Sequence, residues 1–95
     1  MEKQTMLVLS TAHVKDSTAH AFDTDCIDPE LIFYPKSEYG WFIHIPREWE
    51  YIQDLKNKIP DELYNCCVYA FKQKADWIMF DRDADEDPNL PTFEW

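Results

Sequence analysis

Four short apolar runs rich in strand-forming residues, with helical periodicity between them, constrain this chain more than any other feature. Thr5 to Ser10 reads as a buried strand, and Leu31–Tyr34, Trp41–Ile45 and Trp77–Phe80 read as three more. Pro35 closes the second run and Pro46 the third. Between those two lies Lys36-Ser37-Glu38-Tyr39-Gly40, a short link containing glycine, which predicts a hairpin. In the third strand Trp41, Ile43 and Ile45 share one face, and Phe42 and His44 the other, because side chains alternate along a strand.

The intervening segments carry helical spacing. Residues 16–24 hold a short helix with Asp16 or Ser17 as its N-cap and Ala19, His20 and Phe22 inside it. From Pro46 onward Trp49, Ile52 and Leu55 recur at three-residue steps, and the chain breaks at Asn57-Lys58-Ile59-Pro60. Pro60 suits the first position of a longer helix, where Asp61 and Glu62 complement the dipole. Leu63, Cys67, Ala70 and Phe71 line one face of that helix, and Lys72 and Lys74 occupy its last turn. The order strand, helix, strand, strand, helix, strand predicts a single α+β domain over residues 1–95. Its expected form is a two-layer sandwich of ferredoxin-like βαββαβ order with an antiparallel-rich four-stranded sheet. In that arrangement the first and third strands run parallel as neighbours.

Composition removes several classes of function. A chain of 95 residues buries somewhat over ~60% of its unfolded surface, enough for one core. Gly40 is the only glycine, so a phosphate-cradling glycine loop is excluded. No apolar run approaches the roughly twenty residues that cross a bilayer, and the N-terminal run is too short for a secretion signal. Cys26, Cys66 and Cys67 are odd in number and lack C-x-x-C spacing, which fits a reducing cytoplasm and core packing better than disulfides or zinc. The net charge of −10 repels phosphate backbones and anionic lipid and attracts a basic surface. No cofactor or metal is expected.

Two groups of residues are candidates for a site. The run Asp81 to Asp87 carries Asp81, Asp83, Asp85, Glu86 and Asp87 against Arg82, a density of carboxylates able to imitate spaced phosphates. It lacks the glycine and closing glutamate of a calcium loop. Tyr34, Tyr39, Trp41, Trp49, Tyr51 and Tyr64 exceed what a small core hides, and exposed aromatics favour interfaces. Tyr39 and Trp41 therefore join the acids as expected partner-binding residues. The alternative is a pocket of Ser10, Thr11, His13 and His44, brought together by adjacent first and third strands and aided by Tyr34 or Asp81, for general-base or nucleophilic chemistry.

Leu9-Ser10-Thr11-Ala12-His13 near one end and Leu90-Pro91-Thr92-Phe93-Glu94-Trp95 at the other frame Tyr34-Pro35-Lys36, Glu38-Tyr39-Gly40-Trp41-Phe42 and Asp81-Arg82-Asp83. With these motifs the chain resembles a family of small bacterial proteins of unknown function found on plasmids, phages and integrated elements. The resemblance implies genomic company and carries no catalytic residues. Together with the charge it leads to the expectation of a non-enzymatic, cytoplasmic, acidic protein-binding module. The expected partner is a basic or nucleic-acid-binding protein, engaged by a nucleic-acid mimic that inhibits a DNA-binding or defence complex. A small ligand-binding or hydrolytic domain and a homodimerising module are the competing expectations; the sheet's open face would serve the latter.

Overall fold

The computed structural model describes residues 2–36 and 40–95. Its strands are β1 (Met6–Ser10), β2 (Phe33–Lys36), β3 (Gly40–His44) and β4 (Trp77–Asp81). Its helices are α1 (Asp16–Asp23), α2 (Trp49–Asp54) and α3 (Asp61–Lys72), and a 3₁₀ turn spans Thr11–His13. The helices pack on one face of a four-stranded sheet, an α+β sandwich of two layers with antiparallel β2–β3 and β3–β4 pairs.

Sheet order departs from the ferredoxin-like expectation. It runs β1-β4-β3-β2, and the parallel partner of β1 is β4. β3 is not next to β1 and runs the opposite way. Deeply buried strands take the two central places: Ile78 and Phe80 of β4 and Ile43 of β3 are fully enclosed, whereas Met6 and Val8 of β1 tolerate exposure at an edge. The parallel pair is started by Asp76 and Trp77, whose N–H groups both donate to the Thr5 carbonyl.

The two-residue period sets which side chains form the core. Leu9, Trp41, Ile43, Ile45, Ile78 and Phe80 face the helices and meet Phe22 of α1, Ile52 of α2 and Leu63, Cys67 and Ala70 of α3. Trp41 stacks on Phe22 with ring centroids 4.8 Å apart. Gly40 (φ +156°) allows β3 to approach β4, since a Cβ there would lie 1.7 Å from the Phe80 carbonyl oxygen.

Helix ends differ in detail from the sequence reading. Pro60 is the N-cap of α3, in extended conformation, and Asp61 is the first helical residue. The N-cap of α1 is Lys15, whose side chain makes no cap bond. Glu62 of α3 caps it instead: its Oε1 accepts the Lys15 N–H at 3.2 Å and the Thr18 hydroxyl. A tertiary contact thus replaces the local cap expected from Asp16 or Ser17. Asn57 after α2 and Lys74 after α3 adopt positive φ, the left-handed turn that ends many helices.

Candidate functional site

The expected pocket does not assemble. His13 lies just beyond the C-terminal end of β1, where Ser10 pairs with Asp81. His44 pairs with Trp77, which faces Met6 at the opposite end of the sheet. The strand order is the cause, because β3 runs against β4 and therefore against β1.

His13 is fully buried and has a structural occupation for each ring nitrogen. Nδ1 donates to the Pro91 carbonyl at 2.8 Å, and Nε2 accepts the Asp87 N–H at 2.8 Å. Ser10 is also buried, and its hydroxyl accepts the Ala12 N–H at 3.1 Å. The tail continues along the same segment. Phe93 donates its N–H to the Ala12 carbonyl at 2.8 Å, and the Trp95 indole donates to the Val14 carbonyl at 3.0 Å. Lys15 Nζ sits 5.6 Å from the centre of the Phe93 ring. The two terminal motifs, Ser10 to His13 and Leu90 to Trp95, are thus the halves of one clasp, and the tail docks without adding a strand.

The acidic run divides into two parts. Asp81 takes the Lys36 ammonium at 3.0 Å and the Asp83 N–H at 2.8 Å. The Asp83 N–H, and then Lys36, hold its carboxyl below the ordinary carboxylate range. Asp87 accepts the Asn89 N–H and the Tyr69 hydroxyl, each at 2.9 Å, and the Asn89 N–H is the main reason its carboxyl also stays low. Asp83, Asp85 and Glu86 are exposed. Trp41, expected at a partner surface, is instead 8% exposed in the core, because its strand position faces the helices. Tyr39 lies outside the described residues. Among the described residues no group of three or more His, Cys, Asp or Glu is placed to hold a metal, and no helix is long and apolar enough to cross a membrane.

The feature that remains open to a partner is the sheet face away from the helices. Register aligns its side chains in rows across all four strands. One row runs Tyr34, Phe42, Met79, Val8. The next runs Ile32, His44, Trp77, Met6; Ile32 joins it through its carbonyl, which accepts the His44 N–H at 2.9 Å. A third, polar row carries Lys36 and Asp81, paired across Gly40. Tyr34 is 55% exposed, Ile32 49% and Val8 48%. Tyr34 tilts against Trp77 at 6.1 Å and His44 meets Trp77 edge-on at 5.1 Å, so the aromatic rings form a contiguous surface. A depression of about 430 Å³ lies over Met6, Tyr34, Phe42 and Trp77. A cleft of about 380 Å³ at the His44 end is bordered by Ile32, Tyr51, Glu30 and Asp54.

Of these residues the aromatic surplus pointed only to Tyr34 and Tyr51. Met6, Val8, Phe42, Trp77 and Met79 were hidden inside runs apolar on both faces. The sign was available, since a strand apolar on both faces has no polar side to give to water.

Comparison with curated proteins and with solved structures gives no match. A family model covers residues 6–95, taking in both halves of the clasp and nearly all of the open face. The chain belongs to that family, described as the C-terminal domain of the family of unknown function DUF5983.

Proposed function

We propose that this protein is a non-enzymatic binding module that docks a protein partner on the open face of its sheet. The two adjoining apolar rows carry this reading. Contiguous apolar patches beyond a few hundred Å² are uncommon on small monomers and mark interaction sites. The residue types agree, for interface centres are rich in aromatic residues and methionine and poor in charge. The overall charge of −10 opposes direct binding of nucleic acid or anionic membrane and suits a cytoplasmic role on a basic protein.

A sharper form of the reading is a mobile-element protein that imitates nucleic acid and inhibits a DNA-binding or defence complex. Asp83, Asp85 and Glu86 are the carboxylates that support it, as Asp81 and Asp87 are engaged within the fold. The hydrolytic alternative draws no support from the geometry: His13 has both nitrogens committed to backbone groups, and His44 lies at the far end of the sheet.

Affinity capture from a bacterial lysate at low and high salt tests both forms. The unmodified chain is compared with a face variant, Val8→Thr with Tyr34→Ser, and with an acid variant, Asp83→Asn, Asp85→Asn and Glu86→Gln. Loss of a captured partner with the face variant is the expected result. Capture indifferent to the face variant would sink the docking surface, and capture indifferent to the acid variant would sink the mimic.

A further inference from the structure

The open face is patterned by charge along its strands. Its middle, around Phe42, is uncharged, and Lys36 and Asp81 on its polar row neutralise each other at 3.0 Å. Beyond the Asp81 end the turn leaves Asp83 and Asp85 exposed. Beyond the His44 end the cleft of about 380 Å³ is bordered by Glu30 and Asp54. Lys58 pairs with Glu30 at 2.7 Å and also attracts Asp54 and Asp28, so three carboxylates there share one ammonium. A five-residue strand spans ~17 Å, so an excess of acid over base, Asp83 and Asp85 against Arg82 at one end and Glu30, Asp54 and Asp28 against Lys58 at the other, flanks an apolar middle of that length.

We infer that the occupant is a protein segment with an apolar middle and lysine or arginine at both ends, one of them entering the Asp54 cleft. The inference rests on the open-face reading and names its partner. A long cationic side chain suits such a cleft, as its aliphatic stem lies along Ile32 and Tyr51 while its head meets Asp54. A second copy fits poorly. Two-fold stacking of two such faces sets one acidic end against another in either orientation, on chains already carrying −10 each. The two occupants have opposite salt dependence: screening weakens attraction to a basic segment and relieves repulsion between copies.

Two synthetic peptides of roughly 18 residues, ~27 Å long as helices, provide the probe. Both carry the same leucine and phenylalanine stripe; one ends in arginines and the other in glutamates. Each is titrated at low salt into the isotope-labelled full chain, and backbone amide signals are followed. The arginine-ended peptide is expected to shift Val8, Phe42 and Met79 and to bind about tenfold more tightly than the other. Asp54→Asn should reduce that preference by about two- to fivefold, the scale of one exposed ion pair. Equal binding of both peptides on the face would overturn the basic partner and leave the docking surface standing. No shift on the face with either peptide would overturn the docking surface as well. Self-association at about 1 M salt, with both peptides inert, would assign the face to a second copy and overturn the inference.

Discussion

The Nε2 of His13 accepts the backbone N–H of Asp87 at 2.8 Å, across 74 residues of chain. With Nδ1 donating to Pro91, the ring is a buried cross-link between the segment after β1 and the tail after β4. The histidine that looks most like a catalytic base by its neighbours in sequence is therefore a fastener. Replacing His13 with alanine should cost about 2–4 kcal/mol, since it empties a fully buried site and takes their partner from the Asp87 N–H and the Pro91 carbonyl. Urea denaturation measures the loss, and limited proteolysis should show cleavage beyond Asp87. Unchanged stability and an uncut tail would refute the clasp.

Glu62 links two helices in a similar way, capping α1 from α3. Glu62→Ala removes the acceptor for the Lys15 N–H and the buried Thr18 hydroxyl, at an expected cost of about 1–2 kcal/mol. Thermal unfolding of the variant checks it. Amide exchange should accelerate in the first turn of α1 before anywhere else.

Asp81 and Asp87 make the protein sensitive to acid. Both carboxyls sit below their ordinary value of 3.8, so each contributes stability that is present above that value and lost as pH falls through the lower folded value. Both are only partly buried, and solvent keeps each contribution small. Asp81→Asn should flatten the acid limb of a denaturation profile taken from pH 7 to pH 2. An acid limb identical to that of the unmodified protein would contradict the assignment.

The three cysteines should separate by reactivity. Cys26 is exposed, whereas burial, with help from Glu62, pushes the Cys66 thiol up to about 12 and raises Cys67 further out of reach. A thiol reagent at pH 8 should modify one cysteine rapidly and the other two only on unfolding. Mass spectrometry after partial labelling identifies which. Rapid labelling of Cys66 would show that α3 packs less closely than described.

Gly40 is expected to tolerate no side chain. A methyl group would meet the Phe80 carbonyl and hold β3 away from the central strand, so Gly40→Ala should cost well over ~1 kcal/mol. It should also part Lys36 from Asp81, which reach each other across that position. Far-ultraviolet circular dichroism and thermal unfolding test the first point.

Local order was legible without coordinates wherever a single element could reveal it. Four strands, although β2 runs through Pro35 to Lys36 instead of ending before it, the division of Trp41 and Ile43 from Phe42 and His44, and the face of α3 made by Leu63, Cys67 and Ala70 follow from side-chain period. The antiparallel β2–β3 pair follows from the short link containing Gly40, of which residues 37–39 lie outside the described residues. Tertiary structure decided the neighbours. Periodicity says which face of a strand is apolar but not which strand lies beside it, so the β1–β4 pair, and with it the separation of His13 from His44, could not be read from spacing. The site shows the same limit. Carboxylates along Asp81 to Asp87 look alike in sequence, and only the approach of Lys36, Tyr69 and Asn89 sorts those inside the fold from Asp83, Asp85 and Glu86. The composition carried more apolar surface than one core face needs. That all three helices cover the same side, leaving Val8, Phe42 and Met79 to water, is a property of packing between elements distant in the chain.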